Sequence, residues 1–332
     1  MWECNNRTEC QLQNAAADEW RSMMETERMN KIKELQKEKD VVIMAHYYVD
    51  GEVQEVADYV GDSFYLSKVA TQVPQQTILF AGVSFMGESA KILNPSKNVI
   101  MADEFADCPM AHMVTLERIA EVRAEYDDLA VVCYVNSTAE IKTASDVCVT
   151  SSNAVKVVQN LKEKNIFFVP DEHLGKYVAK MLPEKNFIFN DGFCHVHTSI
   201  AAENVKIAKE AHPDALILTH PECGDDVVAM SDFVGSTSEI IDFATESDCK
   251  KFIICTEMGV FFELQQKNPE KKFYSVGHRQ FCPNMKKVTI DKVEDVLEKL
   301  GNSDLSSKEI ELSADVIEKA GKPLQRMLEL AK

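Results

Sequence analysis

VVIMAHYY (residues 41–48) is a near-continuous apolar, β-branched run that ends in a histidine and two tyrosines. Its length suits a strand buried on both faces, with reactive side chains left at its carboxyl end. Two later stretches repeat the design, LAVVCYV (129–135) and DALILTH (214–220). The repetition reaches beyond the strands. His46, Ser63, Gly82 and Cys108 of a first unit correspond to Tyr134, Ser151, Pro170 and Cys194 of a second, and to His220, Thr237, Thr256 and Cys282 of a third. The first three markers step by 88 and then 86 residues, the cysteines by 86 and then 88. An aspartate (Asp58, Asp146, Asp232) stands five residues before each hydroxyl. Self-similarity at a fixed period sets an architecture, and here it predicts three equivalent units whose three cysteines converge on a pseudo-threefold axis.

Each unit carries two further apolar runs: TILFAGVSF (77–85) and NVIMADEF (98–105), NIFFVPDE (165–172) and NFIFND (186–191), KFIICTE (251–257) and KKFYSV (271–276). Amphipathic stretches such as EVQEVADYV and TSIAAENVKIAKEAH lie between them. Apolar runs alternating with helical patterns indicate α/β layers. The predicted fold is α/β, with three pseudo-symmetric three-layer αβα domains built on small parallel sheets around the pseudo-threefold axis. The expected division is an N-terminal extension over 1–30, repeats over 31–114, 115–199 and 200–286, and C-terminal helices over 287–332 that pack on the first repeat, with the boundaries near 114, 199 and 286 following from the repeat.

Composition narrows the function. With 332 residues, 45% of them hydrophobic, the chain can bury a sizeable interior. A formal net charge of −18 argues against nucleic acid and anionic membrane surfaces as partners. An anionic substrate would have to be held by local groups. Acidic residues through the first thirty positions exclude a secretory or transit peptide, and no apolar run reaches membrane-spanning length, so the reading is a cytoplasmic protein. In a reducing compartment, ten cysteines are free thiols or metal ligands rather than disulfides.

Cys108, Cys194 and Cys282 each follow the third apolar run of a unit, in the polar contexts ADCPM, GFCHVH and QFCPNM. A single cysteine of this kind is usually a small core residue. Three at equivalent positions read as ligands. Iron–sulfur clusters favour thiolates, and three ligands on a four-iron cluster leave one iron open as a Lewis acid. From spacing alone, zinc held by three cysteines fits as well. Cys133, Cys148 and Cys255 lie in apolar segments, Cys249 in a polar turn, Cys4 and Cys10 in the N-terminal tail, and Cys223 stands beside a motif.

The first strands end in AHYY (45–48), CYVNS (133–137) and THPEC (219–223). Open α/β sheets place their sites at such ends. His46, Tyr48, His220 and Glu222 supply acid–base groups, and Tyr134 and Asn136 supply hydrogen bonds. The turns GDS (61–63), TSSN (150–153) and GSTS (235–238) precede helical patterns. Their hydroxyls cap helices, and the same geometry offers free N–H groups to a phosphate or carboxylate.

With these residues in place, the chain resembles the quinolinate synthase family, the four-iron, four-sulfur enzymes of de novo NAD biosynthesis. The resemblance runs from about residue 31 to 330 through AHYY, EVQEVADYVGDS, GVSFMGESAKILNPSK, VPDEHLG, CHVH, HPEC, SDFVGSTSEII, TEMGV and CPNMK. It implies condensation of iminoaspartate with dihydroxyacetone phosphate to quinolinate, with release of phosphate and two waters. It implies Cys108, Cys194 and Cys282 as ligands of a [4Fe-4S] cluster, and an acid–base set of Tyr48, Glu222, His46 and His220. Substrate contacts would come from His46, Ser63, Tyr134, Asn136, Ser151, His197, His220, Glu222, Ser236 and Thr237. Both His195 and His197 flank the second cysteine, and motif alignment favours His197. An L-aspartate oxidase or aspartate dehydrogenase is the implied metabolic neighbour, with iron–sulfur assembly machinery as supplier of the cluster. The residues also leave open a zinc-dependent hydrolase or lyase and a non-catalytic iron–sulfur sensor.

Overall fold

A computed structural model of the chain describes residues 26–277, 279–301 and 305–332. Most of the N-terminal extension, with Cys4 and Cys10, lies outside the described residues. Three four-stranded parallel sheets form the framework. The first is β1 (Val41–His46), β2 (Tyr59–Gly61), β3 (Thr77–Ala81) and β4 (Asn98–Met101). The second is β5 (Leu129–Tyr134), β6 (Val147–Val149), β7 (Asn165–Val169) and β8 (Asn186–Phe189). The third is β9 (Leu216–Thr219), β10 (Phe233–Val234), β11 (Lys251–Cys255) and β12 (Lys272–Ser275). All three have one strand order: β2-β1-β3-β4, β6-β5-β7-β8 and β10-β9-β11-β12. Helices cover the faces, giving the α/β, αβα layering expected from the repeat.

The apolar runs become β1, β3 and β4 and their counterparts. Each sheet also has a short strand that no run announced. It is two or three residues long, too short for a hydrophobic pattern. The repeating aspartate explains its place. Asp58 Oδ2 accepts the Ile43 N–H at 2.8 Å while the Asp58 N–H bonds the Ile43 carbonyl at 2.9 Å. Asp146 does the same with Val131 (2.7 and 3.0 Å), and Asp232 with Ile217 (2.8 and 2.9 Å). Each aspartate thus pins the chain to the edge of the first strand and starts the extra one. The hydroxyl marker follows five residues on, at the mouth of the sheet.

The apolar interior is less symmetric than the sheets. One continuous core takes in both the first and the second unit and reaches into the C-terminal helices through Val293, Leu297, Leu324 and Met327. The helix Ala314–Leu330 seals the join, lying on helix Ala139–Thr143, β6 and helix Ser84–Leu93. The C-terminal segment therefore contacts the second unit as well as the first, while helix Ile290–Lys299 sits against Gly51–Val56. The third unit has two further cores, one on each face of its sheet: Phe252 and Ile254 point to one, which also takes in Tyr47 of the first unit, and Ile253 and Cys255 to the other, as the period-two alternation of a strand requires. No helix among the described residues is long and apolar enough to cross a membrane.

Candidate active site and metal centre

The carboxyl ends of the three sheets face a shared central cavity of about 70 Å³. Its walls include Cys108, Cys194 and Cys282, the strand-end groups His46, Tyr48, Tyr134, Asn136, His220 and Glu222, and also Ser63, Ser151, His197 and Thr237. Ser236 is not among them. Its side chain accepts the Glu239 N–H at 3.3 Å in a capping box that starts helix Thr237–Glu246. Asp62 holds the matching cap position in the first unit, accepting the Tyr65 N–H at 2.9 Å. The hydroxyl that turns inward is the next residue, Thr237 or Ser63. Among the described residues no lysine or arginine lines the cavity, so the groups there that can meet an anion are hydroxyls, backbone N–H groups and imidazoles.

The strand-end turns share one geometry. The Tyr48 N–H bonds His46 Nδ1 at 3.1 Å, and the Glu222 N–H bonds His220 Nδ1 at 3.3 Å. Accepting at Nδ1 assigns the proton of each neutral ring to Nε2. Burial holds both imidazoles neutral, with pKa values of about 3. They can donate a hydrogen bond without bringing a charge. The Tyr48 hydroxyl bonds Thr237 Oγ1 at 2.7 Å and Thr256 Oγ1 at 2.9 Å, and burial raises its pKa well above the ordinary value. In the second unit, the Ser137 hydroxyl bonds the Tyr134 carbonyl at 2.9 Å, and the buried Lys142 ammonium bonds the Ser137 carbonyl.

Glu222 and His197 form the polar centre. His197 Nδ1 lies 2.7 Å from Glu222 Oε2 and 3.2 Å from Cys194 Sγ, and its Nε2 lies 2.9 Å from Thr256 Oγ1. The His197 and His220 rings stack at 4.4 Å. Burial pushes the Glu222 carboxyl up, but His197, His220 and a Tyr134 hydrogen bond together outweigh it and hold the group at about 2. Glu222 Oε1 and Asn136 Oδ1 are buried without a hydrogen-bond partner. Two unmet acceptors on one cavity wall call for donors on whatever occupies it.

The three cysteines each open a helical turn: Pro109–His112, His195–Thr198, and the turn that leads to Met285–Lys287. Backbone N–H groups of Met110 and Ala111 face the sulfur of Cys108, that of His197 faces Cys194, and those of Asn284 and Met285 face Cys282. Burial nevertheless raises all three thiols, Cys108 to about 12. A metal centre held there would have to displace those protons and stabilise the thiolates. Three thiols with N–H donors aimed at sulfur, placed around one cavity, fit an iron–sulfur cluster. A single ion is met differently: the ligand atoms of Cys194, His197 and Glu222 all lie within 4.8 Å of one another.

Sequence reasoning missed the carboxylates behind the cysteines. Glu257, fully buried, accepts the Cys282 N–H at 2.9 Å and the Gly259 N–H at 2.5 Å. Lys286 reaches from that loop to the Tyr48 carbonyl at 2.9 Å, Asp50 at 3.1 Å and Glu257 at 3.6 Å. Asp107 accepts the Cys108 N–H at 2.8 Å. Asp171, one place after Pro170 as Glu257 is after Thr256, lies beside the Cys194 amide. The shared position of Asp171 and Glu257 was a usable signal. Asp107, next to its own cysteine, breaks the pattern.

Comparison with known proteins places this architecture. The family model described as "Quinolinate synthetase A protein" matches residues 30–329. A quinolinate synthase of Fusobacterium nucleatum is 54% identical over 302 residues, covering 91% of this chain and 99% of that protein. Those of Caldicellulosiruptor saccharolyticus and Clostridioides difficile are 48% and 44% identical, each over 93% of this chain and 100% and 99% of their own lengths. The three-sheet fold, the cavity with its three cysteines and this near full-length likeness lead to one conclusion: the chain is an enzyme of the quinolinate synthase family.

Proposed function

We propose that the chain makes quinolinate from iminoaspartate and dihydroxyacetone phosphate, releasing phosphate and two waters, in de novo NAD biosynthesis. The observation that carries the reading is the single cavity where three repeat-equivalent cysteines meet neutral histidines, a high-pKa tyrosine and an ionised, partly unpartnered carboxylate. The reaction balances without an external oxidant, so the protein has to bind two anions, hold them in register and move protons.

Cys108, Cys194 and Cys282 would hold a [4Fe-4S] cluster, whose open iron supplies Lewis acidity toward a substrate oxygen or nitrogen. Ser63, Ser151 and Thr237, beside helix starts, bind phosphate and carboxylates. His46 and His220 donate from Nε2 to substrate oxygens. Tyr48 keeps its proton at neutral pH and orients against Thr237 and Thr256. Tyr134 and Asn136 position the ligand, and His197 steadies Glu222. Glu222 Oε1 is free to take a carbon-bound proton and return it to a departing hydroxyl. Ser236 serves as helix cap in this scheme rather than as a ligand contact. The units at 31–114, 115–199 and 200–286, with helices over 287–332, act together in the cytoplasm. An aspartate-oxidising enzyme would supply the unstable imine, and assembly machinery the cluster.

The test is turnover of the anaerobically purified Glu222→Gln variant. It should keep its iron and sulfide and lose roughly 10²–10⁴-fold in rate. Near-normal turnover would remove Glu222 from the mechanism. No quinolinate from the cluster-loaded parent enzyme would overturn the reading.

A further inference from the structure

We propose that the chain has a second metal state: without its cluster, one soft divalent cation of the zinc class binds between Cys194, His197 and Glu222. Among the described residues, this is the trio of His, Cys and acidic side chains whose ligand atoms come within 4.8 Å of one another. They arrive from two units. Cys194 and His197 stand on the second unit's last loop, and Glu222 at the end of the third unit's first strand. His197 and Glu222 are each only 2% exposed.

The chemistry selects the ion. One thiolate, one imidazole and one carboxylate around an open fourth position form a zinc-type set, whereas magnesium and calcium take oxygen ligands. With bond lengths of about 2.0–2.3 Å, tetrahedral zinc separates its nitrogen and oxygen ligands by about 3.3 Å and its sulfur and nitrogen ligands by about 3.6 Å. The observed separations are 2.7 Å for His197 Nδ1 to Glu222 Oε2 and 3.2 Å for His197 Nδ1 to Cys194 Sγ. Those two separations each have to open by only about half an ångström, and the Cys194 and Glu222 ligand atoms lie within 4.8 Å of one another in the same trio. Binding takes Cys194 as a thiolate and His197 through an unprotonated Nδ1, so any proton on either ligand atom leaves to solvent. The imidazole keeps its Nε2 proton for Thr256, 2.9 Å away, the outer contact that orients a metal-bound histidine. The fourth position opens on the central cavity.

The ion site stands on this geometry alone. Its consequence rests on the functional reading above: Cys194 cannot serve a lone ion and the cluster together, so a zinc-loaded chain is closed to cluster assembly.

The probe is Co²⁺, then Zn²⁺, added to the full-length cluster-free chain under anaerobic conditions. One Co²⁺ per chain should bind with a thiolate-to-cobalt absorption band and tetrahedral ligand-field bands, and one equivalent of Zn²⁺ should bleach both. The Cys108→Ala/Cys282→Ala double variant should keep the signal. Glu222→Gln and His197→Ala, checked for parental melting behaviour, should weaken Co²⁺ binding by about 100-fold. Absence of binding, or a signal lost in the double cysteine variant, would overturn the site. Cluster reconstitution should fall several-fold in zinc-preloaded chain. Unchanged reconstitution would overturn the exclusion while leaving the cobalt result and the turnover of the loaded enzyme as separate facts.

Discussion

The first two units and the third have sheets of one strand order, yet they are held in different ways. Units one and two share an unbroken apolar core, closed by Leu324 and Met327 of the helix Ala314–Leu330. The third has two cores on the faces of its sheet, one of which takes in Tyr47 of the first unit, and it adds a set of polar contacts to its neighbours. Tyr48 bonds Thr237 and Thr256, the Ser238 hydroxyl bonds Asp62 at 2.6 Å, and Gln54 bonds the Gly259 carbonyl at 3.1 Å. Lys286 joins the third cysteine loop to Tyr48 and Asp50, and Lys180 meets Asp225 at 2.6 Å. Apolar burial is strong and non-directional, whereas each polar contact adds only about 0.5–1.5 kcal/mol net but fixes geometry. The fused pair holds the largest continuous apolar core. The seam with the third unit gives the cavity its register, since Cys282, His220, Glu222 and Thr237 all enter from that side.

The sharpest way to break this comparison is to cut the shared core. Leu324→Ala should lower global stability by about 2–5 kcal/mol in urea unfolding; a loss below about 1 kcal/mol would mean the helix does not stitch the two units. Lys286→Met leaves the buried Glu257 without its cation, costing about 1–3 kcal/mol. Hydrogen exchange should show that loss in amides of the third unit, with the first two unchanged. Uniform loss would erase the distinction between the regions.

A pH series probes the shared side. His46 titrates at about 3 in the folded chain, chiefly through burial, against 6.5 ordinarily. Between those values the unfolded chain binds a proton that the folded chain refuses, so stability falls as pH drops and is flat above 6.5 with respect to this group. From pH 6.5 to 5.5 the cluster-free chain should lose about 1 kcal/mol through His46, and His46→Gln should lose correspondingly less. Equal slopes in parent and variant would show that this imidazole is not held neutral. The smallest effect is expected from Ser238→Ala, about 1 kcal/mol or less, again in third-unit exchange.

Much of this organisation was legible in the sequence because the markers sit at the ends of strands, where one position in each unit faces one cavity. His46, Tyr134 and His220 kept their equivalence, as did Ser63, Ser151 and Thr237 and the three cysteines. Ser236 and Thr237 could not be told apart in the sequence, because a capping hydroxyl and a cavity-facing hydroxyl are neighbours in the chain and use the same residue types. The short edge strands escaped because two or three residues carry no periodicity, although their aspartates were visible. The fused core could not be read at all. An apolar face shows that it must be buried, not which unit will bury it. Glu257 and Lys286 were hidden for a similar reason, since their partners lie in backbone and in another unit.

The central claim is that three cysteines, one from each unit, hold one cluster. Iron and acid-labile sulfide should be counted per chain in anaerobically purified parent protein and in Cys108→Ala, Cys194→Ala and Cys282→Ala. The account predicts about four of each in the parent and loss of both in every variant. A parent without iron and sulfide, or a variant that keeps a full complement, would contradict it.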